Sequence, residues 1–144
     1  MRFYISSGRE NHLRVAELAS VLIGRGHELT YDWTEHGDIT AEGERVMSEV
    51  AFTELRAVRD AELVVVLLPG GKGTHTELGM AIATRSNKRI ILWSEFDDVF
   101  QSDERTCTFY FHPSVERVVC PFDELLRRLD NEQISSDISR AVFE

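Results

Sequence analysis

The sequence predicts an α/β domain, a three-layer sandwich with a five-stranded parallel sheet in the order 2-1-3-4-5. Three observations predict it. Leu63 to Leu68 is an unbroken apolar run, as expected of a strand covered on both faces. Short apolar segments alternate along the chain with longer ones of helical period, the pattern of a parallel sheet covered by helices. A glycine-rich turn, Pro69-Gly70-Gly71-Lys72-Gly73-Thr74, joins the apolar run to a helical segment. The 144 residues, 42% of them hydrophobic, suit one domain with one core.

Arg2 to Ile5 is a short apolar opening and reads as the first strand, closed by Ser6-Ser7-Gly8. Glu10 to Arg25 places Leu13, Val15, Ala16, Leu18, Ala19, Leu22 and Ile23 at helical spacing, and Gly24 and Gly26 stop the helix. His27 to Trp33 reads as the second strand, with Leu29 and Tyr31 alternating against polar neighbours. Thr34 to Thr40 is polar and reads as a loop. Ala41 to Ala61 reads as a long amphipathic helix with Val46, Val50, Leu55 and Val58 facing inward.

Leu63 to Leu68 is the third strand, Thr74 to Ser86 the third helix and Arg89 to Trp93 the fourth strand. Ser94 to Thr108 is a polar, acidic loop. Thr108 to Phe111 fits either a loop or a short strand. Val115 to Val119 is the fifth strand, and Phe122 to Leu129 is a helix behind Pro121, a residue favoured near helix starts. The domain therefore spans residues 1–130, and 131–144 is a weakly amphipathic tail.

Right-handed crossovers give these elements a flavodoxin/Rossmann-like, doubly wound order. Strands 1 and 3 are then neighbours, and the chain leaves them in opposite directions. Ligands bind at such a switch point, beyond the C-terminal strand ends. Those ends carry Ser6-Ser7-Gly8 and Pro69 to Thr74, so two small-residue turns converge on one crevice. Backbone N–H groups in a glycine turn at a helix start attract an anion such as a phosphate.

A net charge of -9 and a pI near 5.0 argue against broad nucleic-acid binding, though not against a nucleotide. Cys107 and Cys120 are too few for a disulfide scaffold. With no signal peptide and no long apolar run, they point to a cytoplasmic protein with free thiols and no membrane partner. The five histidines show no zinc spacing, so neither a metal nor a cofactor is expected.

Glu77 stands at the rim of the crevice, in the first turn of its helix. A carboxylate there is either a helix stabiliser or a reactive group. Glu54, on the preceding helix, is either a solvated side chain or a second carboxylate of the site. Two carboxylates near a bound sugar suit glycosidic chemistry: one attacks or stabilises the anomeric carbon and the other protonates the leaving group.

Phe3-Tyr4-Ile5-Ser6-Ser7-Gly8-Arg9, Glu54 to Val65 and Gly73-Thr74-His75-Thr76-Glu77-Leu78-Gly79 together resemble the nucleoside 2-deoxyribosyltransferase superfamily. That superfamily includes 2'-deoxynucleoside 5'-phosphate N-hydrolases, and the resemblance spans roughly residues 2 to 129. It implies that Glu77 is the nucleophile on C1' of the sugar. It places Glu54 where the family usually has an Asp that positions the sugar or donates a proton. It places Phe3 where relatives often have a Tyr that sets the nucleophile, and the missing hydroxyl implies either altered activity or its replacement by Tyr4 or another group. Ser7, Gly71 and Gly73 fall near the 5'-phosphate position.

Pro69 to Glu77 also resembles the Pro-Gly-Gly-x-Gly-Thr-x-x-Glu signature of lonely-guy-type phosphoribohydrolases. Both resemblances imply cleavage of an N-glycosidic bond with Glu77 in the crevice, and the first implies that Glu77 and Glu54 are catalytic. Substrate contacts are then expected from Phe3, Ser6, Ser7, Gly8, Gly70, Gly71, Lys72, Gly73, Thr74 and His112. The expected activity is hydrolysis of a nucleoside 5'-monophosphate or deoxynucleoside, favoured over base transfer because the Lys72-bearing turn suits a phosphate. The alternatives are a non-catalytic nucleotide sensor and an NAD-cleaving glycohydrolase. The first resemblance further implies a homodimer or higher homo-oligomer, in which Thr106 to His112 either completes a neighbour's site or packs over the sheet edge.

Overall fold

A computed structural model of the chain describes residues 1–131, so the expectation for the tail falls almost wholly outside the described residues. Its strands are β1 (Arg2–Ser7), β2 (Glu28–Leu29), β3 (Leu63–Leu67), β4 (Arg89–Ser94) and β5 (Val115–Val119). Its helices are α1 (His12–Gly24), α2 (Glu44–Asp60), α3 (Lys72–Ala83) and α4 (Phe122–Asn131). The sheet is wholly parallel in the order β2-β1-β3-β4-β5, as the sequence predicts. Among the described residues, no helix is long and apolar enough to cross a membrane.

β3 is buried along its whole length, flanked by β1 in register Phe3 with Leu63 and by β4 in register Leu63 with Arg89. α1 packs on α4 and α2 on α3, one pair to each face of the sheet. Strand alternation then sorts β1. Tyr4 and Ser6 face α3, while Phe3, Ile5 and Ser7 face the other way. Two tethers fix the helices that matter for the crevice. Lys88 Nζ, before β4, donates to Val58 O, Arg59 O and Thr84 Oγ1, pinning the ends of α2 and α3 together. Trp33 Nε1 donates to Ile5 O at 2.8 Å, fastening the β2–α2 connection onto β1.

Several boundaries differ from the sequence reading. The second strand pairs only over Glu28–Leu29. The Asp32 side chain accepts from Thr34 N and turns the chain into a 3-10 turn at Trp33–Glu35, so Trp33 drops into the core. α2 starts at Glu44, not Ala41, because Gly43 takes φ +95° and breaks the chain direction. On α2 only Ala57 and Val58 are buried; Val46 and Val50 are half-buried and Leu55 is 42% exposed. α3 begins at Lys72, two residues early, so Lys72 and Gly73 belong to its first turn. Thr108–Phe111 is a 3-10 turn rather than a strand. Cys107 and Cys120 are both free thiols.

Candidate active site

The C-terminal ends of β1 and β3 are locked to each other before they reach the crevice. Gly8 N donates to Pro69 O at 3.2 Å, and Asn11 Nδ2 donates to Ser7 Oγ and Leu68 O. Ser7 Oγ in turn donates to Leu67 O at 2.7 Å. The Leu68–Pro69 peptide is cis. The Ser7 hydroxyl proton and the Gly8 amide, expected to contact substrate, are thus committed to tying the two turns together.

The glycine turn that follows is shaped by two different demands. A Cβ at Gly70 would overlap the side chain of Thr74, which is buried on α3, so the close approach there requires glycine. Gly71 and Gly73 are exposed, and a Cβ at either would meet nothing. Those positions border open space at the start of a 12-residue helix, with exposed Lys72 between them. Amide groups and a cation sit together there, at the positive end of the helix dipole.

Glu77, one turn into α3, is turned inward and is 8% exposed. Its Oε1 accepts from Ser6 Oγ at 2.9 Å and its Oε2 from the Tyr4 hydroxyl. Burial pushes its carboxyl up to about 7; the hydrogen bonds from Tyr4 and Ser6 oppose that shift and the charge of Glu54 adds to it. Tyr4 is itself driven far upward, by burial and by Glu77, so it remains a protonated donor. Glu54 is half-buried on α2, and burial raises its carboxyl while the charges of His36 and Arg9 pull it down. α2 therefore brings Glu54 within electrostatic reach of Glu77, which the sequence left open. Glu54 also raises Tyr31, after burial, so Tyr31 belongs to the same cluster.

Two of the residues expected to contact substrate are not brought to Glu77. Phe3 is fully buried on the face of β1 opposite Glu77, and the neighbouring Tyr4 supplies the hydroxyl. His112 lies just before β5, whose first residue pairs with Ile90 near the start of β4, at the sheet end away from the crevice. Its Nδ1 accepts from Ser114 N and bonds Ser114 Oγ, making a local turn. In the same segment Tyr110 is the residue that reaches α3, through His75.

Tyr31, Arg9 and His36 escaped the sequence reading. Arg9 donates to His36 O and Gly37 O, drawing the β2–α2 loop toward the crevice, and His36 Nε2 is buried without a hydrogen-bond partner. The available signal was Asp32, whose side-chain turn ends the strand and folds Tyr31 and His36 back. Among the described residues no group of His, Cys, Asp and Glu could hold a metal ion.

No protein-family model and no curated protein sequence matches the chain. Among solved structures it is similar to the CMP N-glycosidase BcmB of Clostridium botulinum. The TM-score is 0.60 and the identity 18%, over 90% of this chain and 99% of that one. At that identity the likeness establishes a shared fold.

Proposed function

We propose that the chain hydrolyses the N-glycosidic bond of a nucleoside 5'-monophosphate or deoxynucleoside, with Glu77 as nucleophile. The observation that carries this reading is the Glu77 carboxylate itself. It is buried, raised to about 7, and gripped on both oxygens by Tyr4 and Ser6 beside the glycine turn. A solvated helix-start glutamate needs no such enclosure. The fold shared with a CMP N-glycosidase supports the same reading.

In the proposed reaction the ionised Glu77 attacks C1' as the bond to the base nitrogen breaks. The bonding electron pair leaves with the base, which takes a proton from a nearby acid. In this reading Glu54, whose carboxyl burial raises, gives that proton. The sugar passes through a cation-like state that the adjacent carboxylates stabilise. Water then opens the glycosyl ester and regenerates Glu77. Tyr4 and Ser6 orient the nucleophile, and the turn from Gly70 to Thr74, with Lys72, receives the 5'-phosphate.

The proposal extends to a homo-oligomer. α2, which carries Glu54, leaves Met47, Phe52 and Leu55 exposed, Phe52 by 65%. Light scattering giving a mass near twice 16.5 kDa or more supports this, and a monomer contradicts it. The activity is tested by incubating the protein with nucleosides and their 5'-monophosphates and separating free base by chromatography. Base release that disappears in Glu77→Ala is expected; release by Glu77→Ala at the wild-type rate overturns the role of Glu77.

A further inference from the structure

His75 lies two residues before Glu77 on α3 and takes no part in the chemistry above. Its ring is nonetheless held at both nitrogens. Nδ1 lies 2.7 Å from Gly71 O, and Nε2 lies 2.6 Å from the Tyr110 hydroxyl. A carbonyl can only accept, so Nδ1 carries a proton, and in the neutral ring Nε2 accepts from Tyr110. Gly71 O also accepts from His75 N, so one carbonyl of the glycine turn takes two bonds from one residue. Tyr110 is 3% exposed and packs edge-on against Phe100. Its neighbours Phe109 and Phe111 are exposed phenylalanines, so Tyr110 is the ring of the three that is buried. The buried hydroxyl is accounted for by its bond to His75.

The geometry separates this chain of bonds from the nucleophile. Residues 75 and 77 project about 200° apart around the helix. Glu77 has its own tethers, Tyr4 and Ser6, from β1. The Tyr110–His75 link instead ends on Gly71, the residue preceding α3 and flanked by open space. The far side of the same turn is held by Gly8 N on Pro69 O.

We propose that the Tyr110–His75–Gly71 hydrogen-bond chain is a positioning strut for the glycine turn, selecting a nucleoside 5'-monophosphate over the free nucleoside. This rests on the phosphate reading given above. His75 and Tyr110 are positioning residues. They hold the amides that meet the phosphate and leave Glu77 where β1 sets it.

The test compares wild type, Tyr110→Phe, His75→Asn and the double variant on the common ribonucleoside 5'-monophosphates and their nucleosides. Tyr110→Phe keeps the ring and its packing on Phe100, and a melting curve checks that each variant folds. Loss of one buried hydrogen bond corresponds to about a tenfold rise in KM for the monophosphate. The expectation is that rise, with kcat and the nucleoside kcat/KM changed less than about twofold, and a double variant no worse than either single one. If no substrate turns over, the dissociation constants of the same pairs by calorimetry carry the same expectation. Equal losses on nucleoside and monophosphate, or no loss on either, overturn the strut. A wild-type protein that does not distinguish the two substrates overturns the phosphate reading, and the proposal with it.

Discussion

Glu77→Gln should make the protein more stable, and by an amount that depends on pH in a defined direction. In the folded chain burial raises the Glu77 carboxyl from its ordinary value of 4.5 to about 7. Between those values the unfolded chain has released a proton that the folded chain still holds. Stability from this group is therefore fully present below about pH 4.5 and is lost as pH rises through about 7. The loss amounts to about 3 kcal/mol once both states are ionised. Glutamine keeps the shape and cannot ionise, so its advantage over wild type should grow by about 2 kcal/mol between roughly pH 5 and pH 8. For a chain of this size that corresponds to a melting temperature about 4–8 °C further above wild type at the higher pH. Urea unfolding of both proteins at the two pH values measures it directly. A difference that does not change with pH, or a variant less stable than wild type at pH 8, would refute the enclosure of an ionised carboxylate on which the site rests.

The remaining predictions concern the groups around it. Tyr4→Phe removes a hydrogen bond that holds the Glu77 carboxyl down, so the acid limb of the rate–pH profile should move upward and the rate fall about tenfold or more. Glu54→Gln removes a charge that raises Glu77, so the same limb should move downward even as the rate falls; an unmoved limb would show that the two carboxylates do not sense each other. Gly70→Ala should cost about 1–3 kcal/mol in denaturant unfolding, because its methyl group overlaps buried Thr74. Gly71→Ala, at a position open to solvent with φ -95°, should leave stability within about 0.5 kcal/mol of wild type. It should nonetheless raise KM for a monophosphate, since the added methyl group occupies space beside the turn.

The sheet was legible from the chain because its signals are strong and local. The apolar run of β3 and the alternation of strand and helix leave few topologies, and right-handed crossovers reduce those to the order observed. The convergence of Ser6 and Glu77 was legible for the same reason: Ser6 lies at the end of β1 and Glu77 one turn into the helix that follows β3, at a switch point of the sheet. What pattern could not supply was strand parity. Phe3 and Tyr4 are adjacent apolar-ring residues, and only the pleat decides which one meets Glu77. The β2–α2 connection was misread because one side-chain turn at Asp32 ends the strand early and carries Tyr31 and His36 toward Glu54. The inward face of α2 was overestimated because amphipathic spacing marks a face that is covered and does not say by what. In this chain Leu55 and Phe52 remain exposed. Within the Thr106 to His112 stretch the residue that touches α3 is Tyr110, two positions before His112.

The most direct measurement is a crystal structure of Glu77→Gln with an intact nucleoside 5'-monophosphate bound. The anomeric carbon is expected against the side chain at position 77, the phosphate on the amides between Gly70 and Thr74, and Glu54 on the side of the base. A nucleotide bound with its sugar turned away from position 77, or with its phosphate outside that turn, would contradict that expectation.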